Sequence, residues 1–325
     1  MASTQMAVPA MSRTHAIRRG YFVATMCLVE ARPCVLMIFF LRLVASTVLA
    51  RGIARHVTPA RSLAGALAWE AAIFSIYLFN GAMDVEEDRI NGSRRPIARG
   101  DLSADVATAV AAVTAAVSLA CALAADLPIG APLAAVLTVG YMYSGPPFYL
   151  KRRPVGTAAA GGILGLLTYY AGFTGYTGTS SAVPGAPWLA FVVTMSLWMG
   201  LVGVPAKDLG DLAGDAAAGR RTLPVVCGEP VTRVVIATAA VLVAAVFCVV
   251  AVHISAWLAG PSVALLGGAA VVTAASFSRL SHGDRARRRL PYRAFMLTQF
   301  AVNISLTVSW AASVAVSHLL AGRLA

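Results

Sequence analysis

Residues 63–88, LAGALAWEAAIFSIYLFNGAMDVEED, run apolar from Leu63 to Met83 with one charge, Glu70, and then set four acids into five positions: Asp84, Glu86, Glu87 and Asp88. At 1.5 Å of rise per residue, a helix over Leu63–Met83 crosses a hydrocarbon layer of about 30 Å. Backbone groups facing lipid must be paired within their own segment, so the run reads as a transmembrane helix with the acids at its end.

The rest of the chain follows the same pattern. Of 325 residues, 58% are apolar and 12% charged, and mean hydropathy is +0.75. This composition predicts an all-α integral membrane protein. The apolar runs give nine transmembrane helices: Pro33–Ala50, Leu63–Met83, Leu102–Leu123, Ile129–Gly145, Val155–Gly175, Trp188–Ala206, Val231–Val252, Trp257–Phe277 and Phe295–Leu319. They form one domain over residues 21–325. Residues 1–20 are expected to be a flexible tail, since they lack the apolar core of a signal peptide.

Lys and Arg collect in cytoplasmic loops. Taking alternate ends of the spans, the N-terminal arm and the loops Arg89–Arg99, Lys151–Arg153, Lys207–Arg233 and Arg279–Arg293 hold 21 of the 26, against Arg51, Arg55, Arg61 and Arg323 opposite. The N-terminus is therefore expected in the cytoplasm, and the membrane to be a bacterial plasma membrane. The net charge of +12 is mainly this topology signal, with attraction to membrane lipid secondary and no nucleic-acid partner expected. The five cysteines form no CxxC pair and the five histidines are dispersed, which points to packing rather than zinc or haem.

The acids are where the chemistry lies. Asp84, Glu86, Glu87 and Asp88 end the second span, and Asp208, Asp211 and Asp215 end the sixth; together they are seven of the chain's 14 acids. The two places are written alike. Asp84-x-x-x-Asp88-x-x-x-Gly92 precedes Arg94-Arg95-Pro96, and Asp211-x-x-x-Asp215-x-x-x-Gly219 precedes Arg220-Arg221-Thr222-Leu223-Pro224. Both copies end an even-numbered span on one side, so this is a parallel internal repeat whose acid sets can face each other across a mouth.

Residues four apart share a helix face, so Asn80, Asp84 and Asp88 make one polar stripe, and Asp211 and Asp215, joined by Asp208, another. Glu86 and Glu87 point away from the stripe and are expected in solvent. Carboxylates at this spacing repel unless a cation lies between them. Arginines alone would serve, but paired oxygen-only clusters fit Mg²⁺ better, which commonly bridges carboxylates to a substrate's phosphates. The following arginines would grip phosphate oxygens by bidentate bonds, so the expected ligand is a diphosphate bound through magnesium. An isoprenoid diphosphate would suit both the polar mouth and a lipid-depth cavity.

These elements resemble the two aspartate-rich motifs of the UbiA superfamily of intramembrane prenyltransferases: Asn80-x-x-x-Asp84-x-x-x-Asp88, and Lys207-Asp208-x-x-Asp211-x-x-x-Asp215 running on to Pro224. Tyr143-Ser-Gly-Pro-Pro-Phe-Tyr-Leu-Lys151-Arg-Arg153 is similar to the family's Tyr-and-Lys loop, and Arg32-Pro33 opens the first span as in the family. The resemblance implies a central cavity ringed by nine helices, with Mg²⁺ and diphosphate at its cytoplasmic mouth. Asn80, Asp84 and Asp88 would hold one Mg²⁺, and Asp211 and Asp215, assisted by Asp208, the other. Lys151, with Arg94 or Arg95 and Arg221, would neutralise the departing diphosphate, and Tyr77, Tyr143 and Arg152 would complete the substrate-binding set. Metal and cations would stabilise charge on the leaving group. One departure is Gly81, where many relatives carry a second Asp.

The implied activity is transfer of a prenyl chain from a prenyl diphosphate donor to an aromatic or other nucleophilic acceptor. A cyclase of the same superfamily, closing the donor on itself, is the alternative, and a divalent-cation transporter a distant one. Glu70 and Arg42 lie at comparable depth, so a buried ion pair between them is expected, ahead of a role for Glu70 as an acceptor contact or base. Tyr77, Tyr141, Tyr143, Tyr169, Tyr170, Phe173 and Trp198 are candidates to line the tail pocket. Gly161-Gly162-x-x-Gly165 reads as a close-packing face.

Overall fold

The computed structural model describes residues 13–51, 53, 57–179 and 181–324. Residues 1–12 of the expected tail, and Arg55, lie outside the described residues. A helix, α1 (Arg13–Glu30), begins inside the stretch expected to be a tail. It is followed by α2 (Pro33–Leu49), α3 (Pro59–Met83), α4 (Val85–Ile90), α5 (Pro96–Arg99), α6 (Ala104–Ala124), α7 (Gly130–Ser144) and α8 (Pro154–Thr177). The second half holds α9 (Ala186–Leu197), α10 (Val204–Ala217), α11 (Leu223–Ile254), α12 (Ala259–Phe277), α13 (Arg285–Arg288) and α14 (Leu290–Leu324). Among the described residues no strand occurs beyond an isolated bridge between Arg51 and Ile53. Six helical stretches are long and apolar enough to cross a membrane.

Helix starts are set by residues that need no partner for their first amides. Pro33, Pro59, Pro96, Pro154 and Pro224 each stand in a first turn, where the missing N–H forfeits no bond. The Thr58 hydroxyl oxygen accepts from the Arg61 amide, and that of Ser103 from the Asp105 amide, at 3.4 and 3.2 Å.

Two departures from the predicted spans shape the site. The helix α3 stops at Asp84, whose φ of −108° and ψ of 13° re-aim the chain into α4. The sixth run is not uniform: α9 passes through a π-helical turn, Trp198–Gly203, and continues as α10, so Asp208, Asp211 and Asp215 lie within the helix rather than beyond it.

The helices close into a ring: α2 packs on α8, α8 on α9, α9 on α11, α11 on α12, α12 on α14, and α14 returns to α2. Two cores fill the bundle: one around Tyr169, Phe173, Trp188, Phe191, Trp198 and Phe247, and another around Phe39, Trp69, Ile73 and Leu133, where α3 and α7 pack on α2 and α8. Against the first core, α11 presents a line of small residues, Ala240, Ala244 and Ala251, which lets helices approach where lipid offers no hydrophobic drive. Outward from the ring, Leu242, Val246, Val249 and Val252 of α11 and Val113 and Val117 of α6 are exposed, a surface suited to hydrocarbon. Gly161 and Gly162 face the Trp198–Gly203 turn closely enough that added Cβ atoms would lie 2.9 Å from Val204 Cγ2 and 3.4 Å from the Ser196 carbonyl.

Candidate active site

The acid sets meet at one end of the ring. Asn80 is in the last turn of α3, its side-chain amide donating to Ser144 Oγ at 2.9 Å. Across the break, the Asp88 amide donates to the Asp84 carbonyl at 2.8 Å, which keeps the two aspartates one turn apart. Opposite them, Asp208, Asp211 and Asp215 share the buried face of α10. None of the five aspartates is more than 9% exposed. The elements carrying them touch: the Gly214 amide donates to Asn91 Oδ1 at 2.8 Å, and a Cβ on Gly214 would lie 2.5 Å from the Glu87 carbonyl.

The repeat seen in the sequence is a repeat of geometry. Gly92 and Gly219 both take the left-handed conformation, at φ 61° and 66°. In each copy the residue after the glycine donates its amide back to the aspartate carbonyl five positions earlier, Ser93 to Asp88 and Arg220 to Asp215, both at 2.8 Å. This is the six-to-one bond of a Schellman helix ending. In the second copy it folds the Arg220 side chain back over the aspartates.

Cations bind the two sets together. Arg220 pairs with Asp84, with Glu87 at 2.9 Å and with Asp215 at 3.4 Å, so one guanidinium bridges both motifs. Lys151, in the turn between α7 and α8, pairs with Asp84 as well. Burial raises the Asp84 pKa, but Lys151 and Arg220 outweigh it and hold the carboxyl below the ordinary aspartate range. Burial brings the Lys151 ammonium below its ordinary value against the pull of Asp84. Arg95 bonds Asp88 at 2.6 Å, Lys207 approaches Asp211 at 3.2 Å, and Arg285 bonds Asp211 at 2.9 Å.

A further acid arrives from outside both motifs. Glu30, at the end of α1, is fully buried, pairs with Arg95 at 2.5 Å and accepts from the Ile97 amide at 2.9 Å. Burial pushes its carboxyl up, opposed by Arg95 and that amide. A Cβ on Gly81 would lie 2.3 Å from Glu30 Oε1 and 2.5 Å from Arg95 Nη2. The missing acid at position 81 thus has a physical reason: the space is filled by an ion pair whose carboxylate comes from α1.

Of the residues singled out from sequence, the structure brings together Asn80, Asp84, Asp88, Asp208, Asp211, Asp215, Lys151 and Arg95, and it places Tyr77 and Tyr143 in the adjoining cavity. Arg94, Arg152 and Arg221 are exposed and stay outside; Arg152 lies over the Tyr149 ring at 4.1 Å. The position assigned to Arg221 is taken by Arg220. Glu86 is exposed as expected, whereas Glu87 turns inward to Arg220, because the break at Asp84 rotates α4 relative to α3. Glu30, Arg32, Arg285, Arg289 and Tyr292 were not picked out as site residues, and Arg220 only as one of the two arginines that follow the second motif.

The cavity opens beside the aspartates among α2, α3, α7, α8, α10 and α14. Arg32, Asn80, Tyr143, Lys207 and Tyr292 stand at the mouth, and Phe39, Ile76, Leu164 and Phe295 form apolar walls. Tyr169, Phe173 and Trp198 are instead fully buried in the packed core, Tyr170 packs against it, and Tyr141 is exposed, stacked on Phe79. Nor do Arg42 and Glu70 pair: Arg42 lines the cavity, Glu70 does not, and both keep buried polar atoms without a hydrogen-bond partner.

The donor set at the mouth is oxygen-only and so fits a hard divalent cation. Among the described residues no three acids converge on one point, because each carboxylate is turned to an arginine or lysine. A cation held here would take Asp84 and Asp88 from one side, Asp211 and Asp215 from the other, and displace those contacts.

The UbiA prenyltransferase family profile matches residues 36–303. No curated protein matches the chain. Solved structures similar in fold include a UbiA homolog from Archaeoglobus fulgidus bound to GPP and Mg²⁺, at 20% identity and a TM-score of 0.60 over 86% of this chain and 99% of that one. The same homolog bound to DMAPP and Mg²⁺ gives 20% and 0.61 over 85% and 98%. A structure of digeranylgeranylglyceryl phosphate synthase gives 15% and 0.60 over 88% and 98%. With more than three-quarters of its length matched, this multi-pass membrane protein belongs to the UbiA prenyltransferase family.

Proposed function

We propose that the protein is a Mg²⁺-dependent intramembrane prenyltransferase, moving an isoprenoid chain from a prenyl diphosphate to a small nucleophilic acceptor. The observation that carries this reading is the bridge made by Arg220, which draws two buried acid sets together at the mouth of an apolar cavity. The fold likeness to a homolog bound to GPP or DMAPP with Mg²⁺ supports it. In this reading the bundle has nine spans, its N-terminus is cytoplasmic in a bacterial plasma membrane, and the mouth opens to the cytoplasm.

Asp84, Asp88 and Asn80 would hold magnesium on one side, and Asp211 and Asp215 with Asp208 on the other. The ion, when bound, neutralises the diphosphate and the charge that develops as it leaves. Lys151, Arg220 and Lys207, released from their carboxylates, then face the phosphates and stabilise the departing group. Tyr77 and Phe39 offer their faces to the positive charge that grows on the allylic carbon.

The test supplies purified protein with prenyl diphosphates of increasing length, with and without an acceptor panel, and identifies products by mass spectrometry. Prenylated acceptor formed only with Mg²⁺ supports transfer. A cyclic hydrocarbon or terpene alcohol from donor alone would point to cyclisation instead. Near-normal turnover in both Asp84→Ala and Asp211→Ala would remove the metal cage.

A further inference from the structure

The two acid sets are not equal copies. Asp84, Asp88 and Gly92 correspond to Asp211, Asp215 and Gly219, and three residues before the first aspartate stands Gly81 in one copy but Asp208 in the other. On its own helix the second set has an acid that the first lacks. Asp208 is 2% exposed and shares a cation with its neighbour, since Lys207 Nζ lies 3.6 Å from Asp208 and 3.2 Å from Asp211.

Glu30 restores the count from another helix. A Cβ on Gly81 would overlap Glu30 Oε1, so the carboxylate of α1 stands in the space that an aspartate at position 81 would take. It too shares a cation with its set: Arg95 offers Nη2 to Glu30 Oε1 at 2.5 Å and Nη1 to Asp88 Oδ2 at 2.6 Å. Two further bonds hold this arrangement, from Arg95 Nη2 to the Glu30 carbonyl at 3.0 Å and from the Ile97 amide to Glu30 Oε2 at 2.9 Å. Nε of Arg95 is buried without a partner, which leaves a donor for another oxygen. Burial and the charge of Arg32, which lines the mouth, bring the Arg95 guanidinium below its ordinary value, and Asp88 and Glu30 draw it back.

We propose that Glu30 is the third acid of the first set, supplied by α1 in place of a side chain at position 81, and that it acts as a positioning residue, holding Arg95 at the mouth to bind a diphosphate oxygen. This rests on the prenyl-transfer reading. Magnesium drawn to Asp88 would free Nη1 of Arg95, while Glu30 keeps Nη2 and holds the guanidinium against the repulsion of Arg32. A guanidinium fixed on one edge and free on the other is preorganised for a phosphate oxygen. Both Glu30 oxygens are already engaged, Oε1 in the ion pair and Oε2 by the Ile97 amide, which favours positioning over a place on the metal. The helix α1 thereby completes the site.

The role is portable if it belongs to the carboxylate, and that can be measured. Titration calorimetry on the full chain in nanodiscs reads Mg²⁺-dependent binding of geranyl thiodiphosphate, a non-reacting donor. Glu30→Ala should weaken it about tenfold or more, the loss expected for one hydrogen bond to a charged group. Glu30→Gln, which keeps the bond from Ile97 but not the charge, should weaken it similarly while melting close to the wild type. Moving the acid, with Glu30→Ala and Gly81→Asp together, should recover most of the affinity, whereas Glu30→Ala with Gly81→Ala fills the space without charge and should not. In an Arg95→Met background Glu30→Gln should change nothing further, because its action runs through that guanidinium. Wild-type affinity in Glu30→Gln overturns the proposal, as does equal recovery by alanine and aspartate at position 81, or a full second loss in the Arg95→Met background. Failure of the wild-type protein to bind thiodiphosphate with Mg²⁺, read in its own titration, would count against prenyl transfer itself.

Discussion

At Gly81 a single hydrogen atom decides what the neighbouring loop can do. Any Cβ there would enter the Glu30–Arg95 pair, whose atoms lie 2.3 and 2.5 Å from its position. Gly81→Ala should therefore cost about 1–3 kcal/mol, the usual range for overpacking a buried site. In a double-mutant cycle followed by unfolding in detergent, Glu30→Ala should recover part of that loss, since it vacates the space. Additive effects would mean that the two positions do not compete. Asp84 makes a second prediction. Folding lowers its pKa, so its ionised form contributes stability above the unfolded value near 4, and that contribution is lost as pH falls through the lower folded value. Thermal unfolding of the wild type from pH 7 to 3 should steepen below about pH 4, while Asp84→Asn should be flatter there. At neutral pH the same variant leaves Lys151 and Arg220 short of a buried counter-charge and should lose roughly 3 kcal/mol.

The contact of α4 with α10 is the element-scale device that makes one mouth from two motifs. Gly214 permits it, because a side chain there would meet the Glu87 carbonyl at 2.5 Å, a backbone atom that cannot swing aside. Gly214→Ala should separate the helices, stretch the Arg220 bridge and weaken binding of Mg²⁺ with a thiodiphosphate, while circular dichroism reports unchanged helix. Unaltered affinity would show that the acid sets work apart. Much of this contact was legible in the sequence, since the repeated spacing put both acid sets at one end of the bundle. The choice between Arg220 and Arg221 was not. It depends on Gly219 reversing the chain so that the next residue returns to Asp215, a signal that the repeat's own glycine carried. Glu30 was less accessible still, lying in a segment expected to be partly a tail and meeting Arg95 through the packing of α1 against α3 and α5. The π turn at Trp198–Gly203 and the break at Asp84 are backbone choices that apolar runs do not encode, and they explain why Glu87 faces in and why the α10 acids lie within their helix.

Across the whole molecule, charge separates the two ends of the bundle. The end that holds the aspartates also holds the loops Arg89–Arg99, Lys151–Arg153 and Arg279–Arg293, while Arg51 and Arg61 stand at the other. Lys and Arg in short loops are retained in the cytoplasm, so the mouth should face inward, where prenyl diphosphates as soluble-headed anions can reach it. Arg94 and Arg61 are both exposed, at opposite ends, and neither pairs with the aspartates, which makes them suitable reporters. In a background with the five native cysteines replaced by serine or alanine, Arg94→Cys should react with a membrane-impermeant maleimide in inside-out vesicles and not in intact cells. Arg61→Cys should do the reverse. Labelling of both from one side would break the alternation of spans, and inverted labelling would turn the mouth outward, placing the diphosphate site where no cytoplasmic donor could enter it.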